Sequence, residues 1–126
     1  DYIGVDAAEL FELPPRFNNH KHHFIHKSVQ NLTLEELPFL PDYISIDLNL
    51  NPKESLHQLL RLFHMSDHPL RGIFFTCKIA SGQQLREIPV YIKRLRSIVK
   101  GKITCLSLRA HRSEFLIFAA SKKSSN

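Results

Sequence analysis

The stretch that decides the fold is YISID (43–47), followed by NPKESLHQLLRLF (51–63) and then GIFFTCK (72–78). The outer two runs are short, rich in β-branched and aromatic residues and flanked by Pro, Asp or Gly, which reads as strands. The middle run opens on Pro52, and proline is favoured in the first turn of a helix because its missing N–H would have had no partner there. Leu56, Leu59, Leu60 and Phe63 then recur at helical spacing and form one buried stripe. Strand, helix, strand in that order is a crossover unit that pairs its strands in parallel. GIFFTCK is apolar on both faces, as expected of a central parallel strand. Asp47 closes the first strand and Lys78 the second, so both side chains are expected at one carboxyl rim.

Working outward, residues 82–99 carry a second helix, with Ile88, Ile92, Leu95 and Val99 as its stripe. Pro89 inside it is expected to kink or restart the helix. Residues 102–108 and 114–120 are the last two strands, joined by 109–113. Upstream, 2–6 is a short apolar run ending in Asp6, and 10–15 contains Pro-Pro and reads as a turn-bearing connection. Residues 23–29 form a weakly alternating strand and 33–37 a helical turn, and Pro38 and Pro41 bracket a break. The sum is an α/β chain with an open, mostly parallel sheet and helices on its faces. Ligands of such sheets sit outside the carboxyl ends of the strands, where Asp6, Asp47 and Lys78 fall. If the last strand runs antiparallel to its neighbours, Glu114 at its start reaches the same rim. A lysine held between two carboxylates there is a proton-handling device; an ion pair that only pins the sheet is the plainer alternative.

At 126 residues and 43% hydrophobic content the chain has the size and composition of one modest domain. Cys77 and Cys105 lie inside apolar runs and read as buried free thiols of an intracellular protein. No signal peptide and no membrane-spanning stretch is visible, so a cytoplasmic location is expected. The formal charge is +5, and the excess gathers after Arg86 in Lys93, Arg94, Arg96, Lys100, Lys102, Arg109, Arg112, Lys122 and Lys123. Such a half suits a polyanion, nucleic acid first, although a solvated helix face with a basic tail has the same composition. His20, His22, His23 and His26 are compactly spaced. No Cys or acid supports them as metal ligands and no zinc-site pattern fits, so they read as a polar strand entry and no metal is expected.

Four segments, IGVD (3–6), DLNLNP (47–52), FFTCK (74–78) and RSEFLIFA (112–119), together resemble the FtsJ-like ribose 2′-O-methyltransferases. These are S-adenosylmethionine-dependent RNA enzymes on the Rossmann-like methyltransferase fold. The order and separation of the segments also agree with that family, most closely with the subgroup that methylates a ribose of large-subunit ribosomal RNA. The resemblance implies that Lys78 is the base or hydroxyl-orienting group, that Asp47 and Glu114 hold it, and that Asp47 also faces the methyl donor. It implies that Asp6 binds the cofactor's ribose hydroxyls, a role to be set against simple capping of the next turn. Arg109, His111 and Arg112, beside Glu114, are candidates to grip RNA phosphates, with a solvated hairpin loop as the alternative.

The chain departs from the family in lacking the glycine-rich loop that cradles the methionine part of the cofactor and the first catalytic lysine ahead of it. Ser28 and Gln30 stand where many relatives carry an acid near the adenine. The resemblance therefore implies the C-terminal two-thirds of a catalytic domain over residues 1–120, followed by a disordered basic tail, 121–126. A truncated chain, a split chain and a degenerate copy are the forms this takes. The family strand that is missing lies between its second and fourth, so exposed strand edges are expected to recruit an oligomer partner, a swapped strand or a missing N-terminal segment. The rival reading is a non-catalytic methyltransferase-like module that binds RNA or protein.

Overall fold

The computed structural model describes residues 1–8, 21–64, 66–68, 70–99, 101–107 and 113–120. Residues 109–112, which include three of the expected RNA contacts, lie outside the described residues, as do the 121–126 tail and His20. The chain divides between Leu40 and Pro41 into two units.

In the first unit, β1 (Tyr2–Asp6) and β2 (His22–His26) pair in parallel, Tyr2 opposite His22 through Asp6 opposite His26. The strand expected at 23–29 is shorter, because the chain turns at Ser28 into a 3-10 turn at Val29–Asn31. The helical turn expected at 33–37 is a 3-10 turn at Leu34–Glu36. Glu36 closes that turn: its Oε2 accepts the Thr33 N–H at 2.9 Å and its own N–H donates to the Thr33 carbonyl oxygen at 3.3 Å. Lys27 Nζ donates to Glu36 Oε1 at 2.6 Å, and that bond is the first cause holding the Glu36 carboxyl below its usual range.

The second unit is a four-stranded sheet in the order β3-β4-β6-β5, with β3 at Tyr43–Ile46, β4 at Gly72–Lys78, β5 at Lys102–Ser107 and β6 at Glu114–Ala120. β3 and β4 are parallel, and β6 runs antiparallel between β4 and β5. Three strands therefore share one direction and only the last opposes them, as expected. Helix α1 (Pro52–Phe63) starts where the sequence says, with Asn51 capping it by accepting the Glu54 N–H at 2.9 Å. Helix α2 (Gly82–Leu95) is one continuous helix through Pro89, not two. Pro89 and Val90 face solvent, so the carbonyl that proline leaves without an N–H donor lies on the wet side.

The core lies on one face of this sheet. Ile73, Phe75 and Cys77 of β4 and Ile117 and Ala119 of β6 are fully buried, together with Leu56 and Leu59 of α1 and Tyr91 and Leu95 of α2. Tyr91, absent from the expected stripe, donates its hydroxyl to Glu87 Oε2 at 2.6 Å, one helical turn back. The opposite face of β4 differs from expectation. Phe74 is 40% exposed and Leu106 52% exposed, so both helices cover the same side and the central strand is buried on one face only. Phe74 stacks on its register partner Phe118 with ring centroids 4.8 Å apart. At the far end of that face Gly72 lies under its partner Tyr43, where a Cβ would come within 2.7 Å of the ring.

Candidate active site

The rim at the carboxyl ends of β3 and β4 is where the sequence puts its candidate chemistry. Asp47 follows the last residue of β3, and Lys78 is the last residue of β4. Because the two strands are parallel neighbours, both side chains leave the sheet at the same end, and Lys78 Nζ meets Asp47 Oδ1 at 2.9 Å. The pair is open to water, with 35% of the lysine side chain and 66% of the aspartate side chain exposed.

Glu114 is the register partner of Lys78 across the antiparallel β4–β6 ladder. Directly opposed residues share a face of the sheet, so its side chain leaves the ladder on the same face as the lysine. The expected hold of Glu114 on Lys78 is nevertheless absent as an ion pair, and this corrects the sequence reading. The lysine chain is long enough to lean to either side, and it leans toward β3. The amine thus stands between two acid-bearing strands and contacts one of the acids.

Asp6 ends β1, and one of its oxygens, Oδ1, accepts the Ala8 N–H at 2.9 Å. The capping role weighed against cofactor binding is therefore visible, and among the described residues the second oxygen has no hydrogen-bond partner. In the same turn His26 Nε2 lies 2.8 Å from the Ala7 carbonyl oxygen, a bond in which the ring donates. His22 and His23 lie with His26 on β2, and no group of three or more metal-ligating side chains converges among the described residues.

Both thiols are free. Burial first, and then the neighbouring Cys105, pushes the Cys77 thiol up to about 12, and burial raises Cys105 as well. Neither is a nucleophile near neutral pH, since only the thiolate reacts. The Tyr91 hydroxyl is also raised, by burial and then by its bond to Glu87.

One concave surface was not legible in the sequence. It is an open depression of about 270 Å³ lined by Asn51, Lys53, Glu54 and His57 of the α1 entry and by Arg94 of α2. The i, i+4 spacing of Lys53 and His57 puts them on one helix face, but only the fold brings Arg94 to them.

No helix among the described residues is long and apolar enough to cross a membrane. Comparison with protein-family models, with curated proteins and with solved structures gives no match.

Proposed function

We propose that this chain is the catalytic-domain part of an S-adenosylmethionine-dependent ribose 2′-O-methyltransferase acting on RNA, ribosomal RNA first. The observation that carries the reading is the Lys78 amine, 2.9 Å from Asp47 at the carboxyl rim of two parallel strands, with Glu114 directly across the ladder. The strand pattern supports it: β1 and β2 stand as a parallel pair, β3 and β4 as another, and β6 is the antiparallel member. A methyltransferase sheet without its central first strand divides in this way.

The residues present fit part of the cofactor. Asp6 keeps one carboxylate oxygen for ribose hydroxyls, and Asp47 is open at the rim. The chain's four glycines, Gly4, Gly72, Gly82 and Gly101, lie far apart in sequence, so none forms the turn that would hold the methionine end. When bound, S-adenosylmethionine supplies an electrophilic methyl group on a sulfonium sulfur. Methyl transfer to a ribose oxygen is helped by in-line placement and by a group that takes or directs the hydroxyl proton. Lys78 has that role: as a neutral amine it accepts the proton, and as an ammonium it directs the hydroxyl oxygen. Asp47 fixes the amine at the rim. Glu114 offers it a second acceptor one strand away. Substrate covering the pair removes water, which strengthens each of these interactions.

The unpaired edges belong to the same reading. Among the described residues β3 has a partner only on its β4 side, and β1 and β2 form a two-stranded sheet, an arrangement of marginal stability in water. A strand supplied by another segment or another chain completes them. The non-catalytic module is the second reading, favoured by the missing glycine-rich turn and by the solvent exposure of the Lys78–Asp47 pair. The test is methyl transfer from labelled S-adenosylmethionine to RNA by the protein with its natural flanking sequence, with the label mapped on the RNA product. Label on ribose 2′-oxygens supports the enzyme; RNA binding without transfer would favour the module.

A further inference from the structure

The depression between the entry of α1 and the end of α2 is cationic, and its charges are uncommitted. It receives Lys53, His57 and Arg94, and among the described residues none of these side chains makes a hydrogen bond or an ion pair. The one acid on its wall, Glu54, keeps its negative charge while its Oε1 accepts the Gln58 amide at 2.6 Å, so the lining carries two cations, Lys53 and Arg94, against one anion. The helix amides add little to the positive character, the Lys53 N–H being the one first-turn amide without an acceptor among the described residues. Pro52 has no N–H, Asn51 Oδ1 takes the Glu54 N–H, and the Asn51 carbonyl takes that of Ser55.

Helix stability explains only part of this arrangement. Arg94 lies in the last turn of α2, where a cation suits the helix dipole. Lys53 lies in the first turn of α1, where a cation has the unfavourable sign. A lysine that its own helix disfavours, aimed with a histidine one turn on into a hollow that also receives an arginine, is arranged for an anion. The hollow of about 270 Å³ is open to solvent and wide enough to admit a phosphate group. It opens four residues after Asp47.

We infer that Lys53, His57 and Arg94 form a phosphodiester-binding subsite that holds the backbone of a single RNA strand. The two cations neutralise phosphate oxygens and the imidazole donates a hydrogen bond to one of them. This inference rests on the RNA reading of the Lys78 rim and extends the footprint to the helical side of the unit.

The experiment is fluorescence anisotropy with a labelled single-stranded RNA of about 20 nucleotides, measured from low to moderate salt. It compares the unaltered protein, Lys53→Gln/Arg94→Gln, the charge-keeping Lys53→Arg/Arg94→Lys, and Lys21→Gln/Arg71→Gln, which removes the same charge elsewhere. The expected result is at least a tenfold loss of affinity in the first variant alone. Its log K against log salt plot becomes shallower by about 1.4, or 0.7 for each lost phosphate contact. Its melting temperature is nearly unchanged, because removing Lys53 relieves α1 while removing Arg94 takes a favourable cation from the end of α2. Binding within twofold of the unaltered protein would overturn the subsite and leave the RNA reading standing. An equal loss in Lys21→Gln/Arg71→Gln would overturn it as well, reducing the effect to net charge. An unaltered protein that binds no RNA would overturn subsite and RNA reading together.

Discussion

Replacing Lys78 by methionine removes the rim's amine and keeps most of its aliphatic stem, and the structure sets how much stability this costs. Two unit charges 2.9 Å apart attract by about 1.4 kcal/mol at the dielectric constant of water and about 6 kcal/mol at an effective value near 20. With 35% of one partner and 66% of the other exposed, the pair belongs near the first limit. Ordering two side chains and screening by salt reduce it further, to below about 1 kcal/mol. For a chain of 126 residues that is a fall in melting temperature of about 4 °C at most. Urea and thermal unfolding followed by circular dichroism measure it directly. In 1 M salt, where the screening length shrinks to about 3 Å, the difference between Lys78→Met and the unaltered protein should nearly vanish. Asp47→Asn should behave alike, and the double variant should cost no more than the larger single one. A loss above about 3 kcal/mol, insensitive to salt, would refute this reasoning, since it would mark the pair as a buried structural pin.

Phe75→Ala should destabilise by about 3–5 kcal/mol, because the side chain is fully buried at the centre of the sheet; a denaturant midpoint within error of the parent would contradict that packing. Gly72→Ala should cost about 1–3 kcal/mol, as its Cβ meets the Tyr43 ring at 2.7 Å, and Tyr43→Ala in the same chain should recover part of it in a double-mutant cycle. Stability should also fall in alkali. Cys77 and Tyr91 have folded pKa values raised above their ordinary 9.0 and 10.0, so their contribution is whole below those values and is lost as pH rises through them. The slope is at most about 1.4 kcal/mol per pH unit for each group, and urea titrations at pH 8 and 10.5 should show Cys77→Ala flattening it.

Much of the second unit is written locally. Asn51-Pro52 specifies a cap and a first turn, the short run of β-branched and aromatic residues in 72–78 specifies a strand, and Asp47 and Lys78 end their runs, so a parallel pairing brings them together. The choice Lys78 makes between Asp47 and Glu114 is a rotamer preference on an open rim, and residue order does not carry it. The covered side of β4 is likewise invisible in GIFFTCK, which is apolar on both faces; the crossovers put α1 and α2 on one side and leave Phe74 partly wet. Tyr91 escaped a reading based on aliphatic spacing, although Glu87 four residues earlier is the partner its hydroxyl needs. Lys53, His57 and Arg94 meet only through the packing of two helices whose crossing the sequence does not state.

The most direct measurement is the single-turnover rate of methyl transfer to RNA by the protein with its natural flanking sequence, before and after Lys78→Ala, at saturating S-adenosylmethionine. The account predicts a fall of about 100-fold or more, as expected for loss of a proton-handling group, with RNA affinity and unfolding midpoint nearly unchanged. A rate within a few-fold of the parent would contradict it, leaving the amine between its two acids without a part in the chemistry.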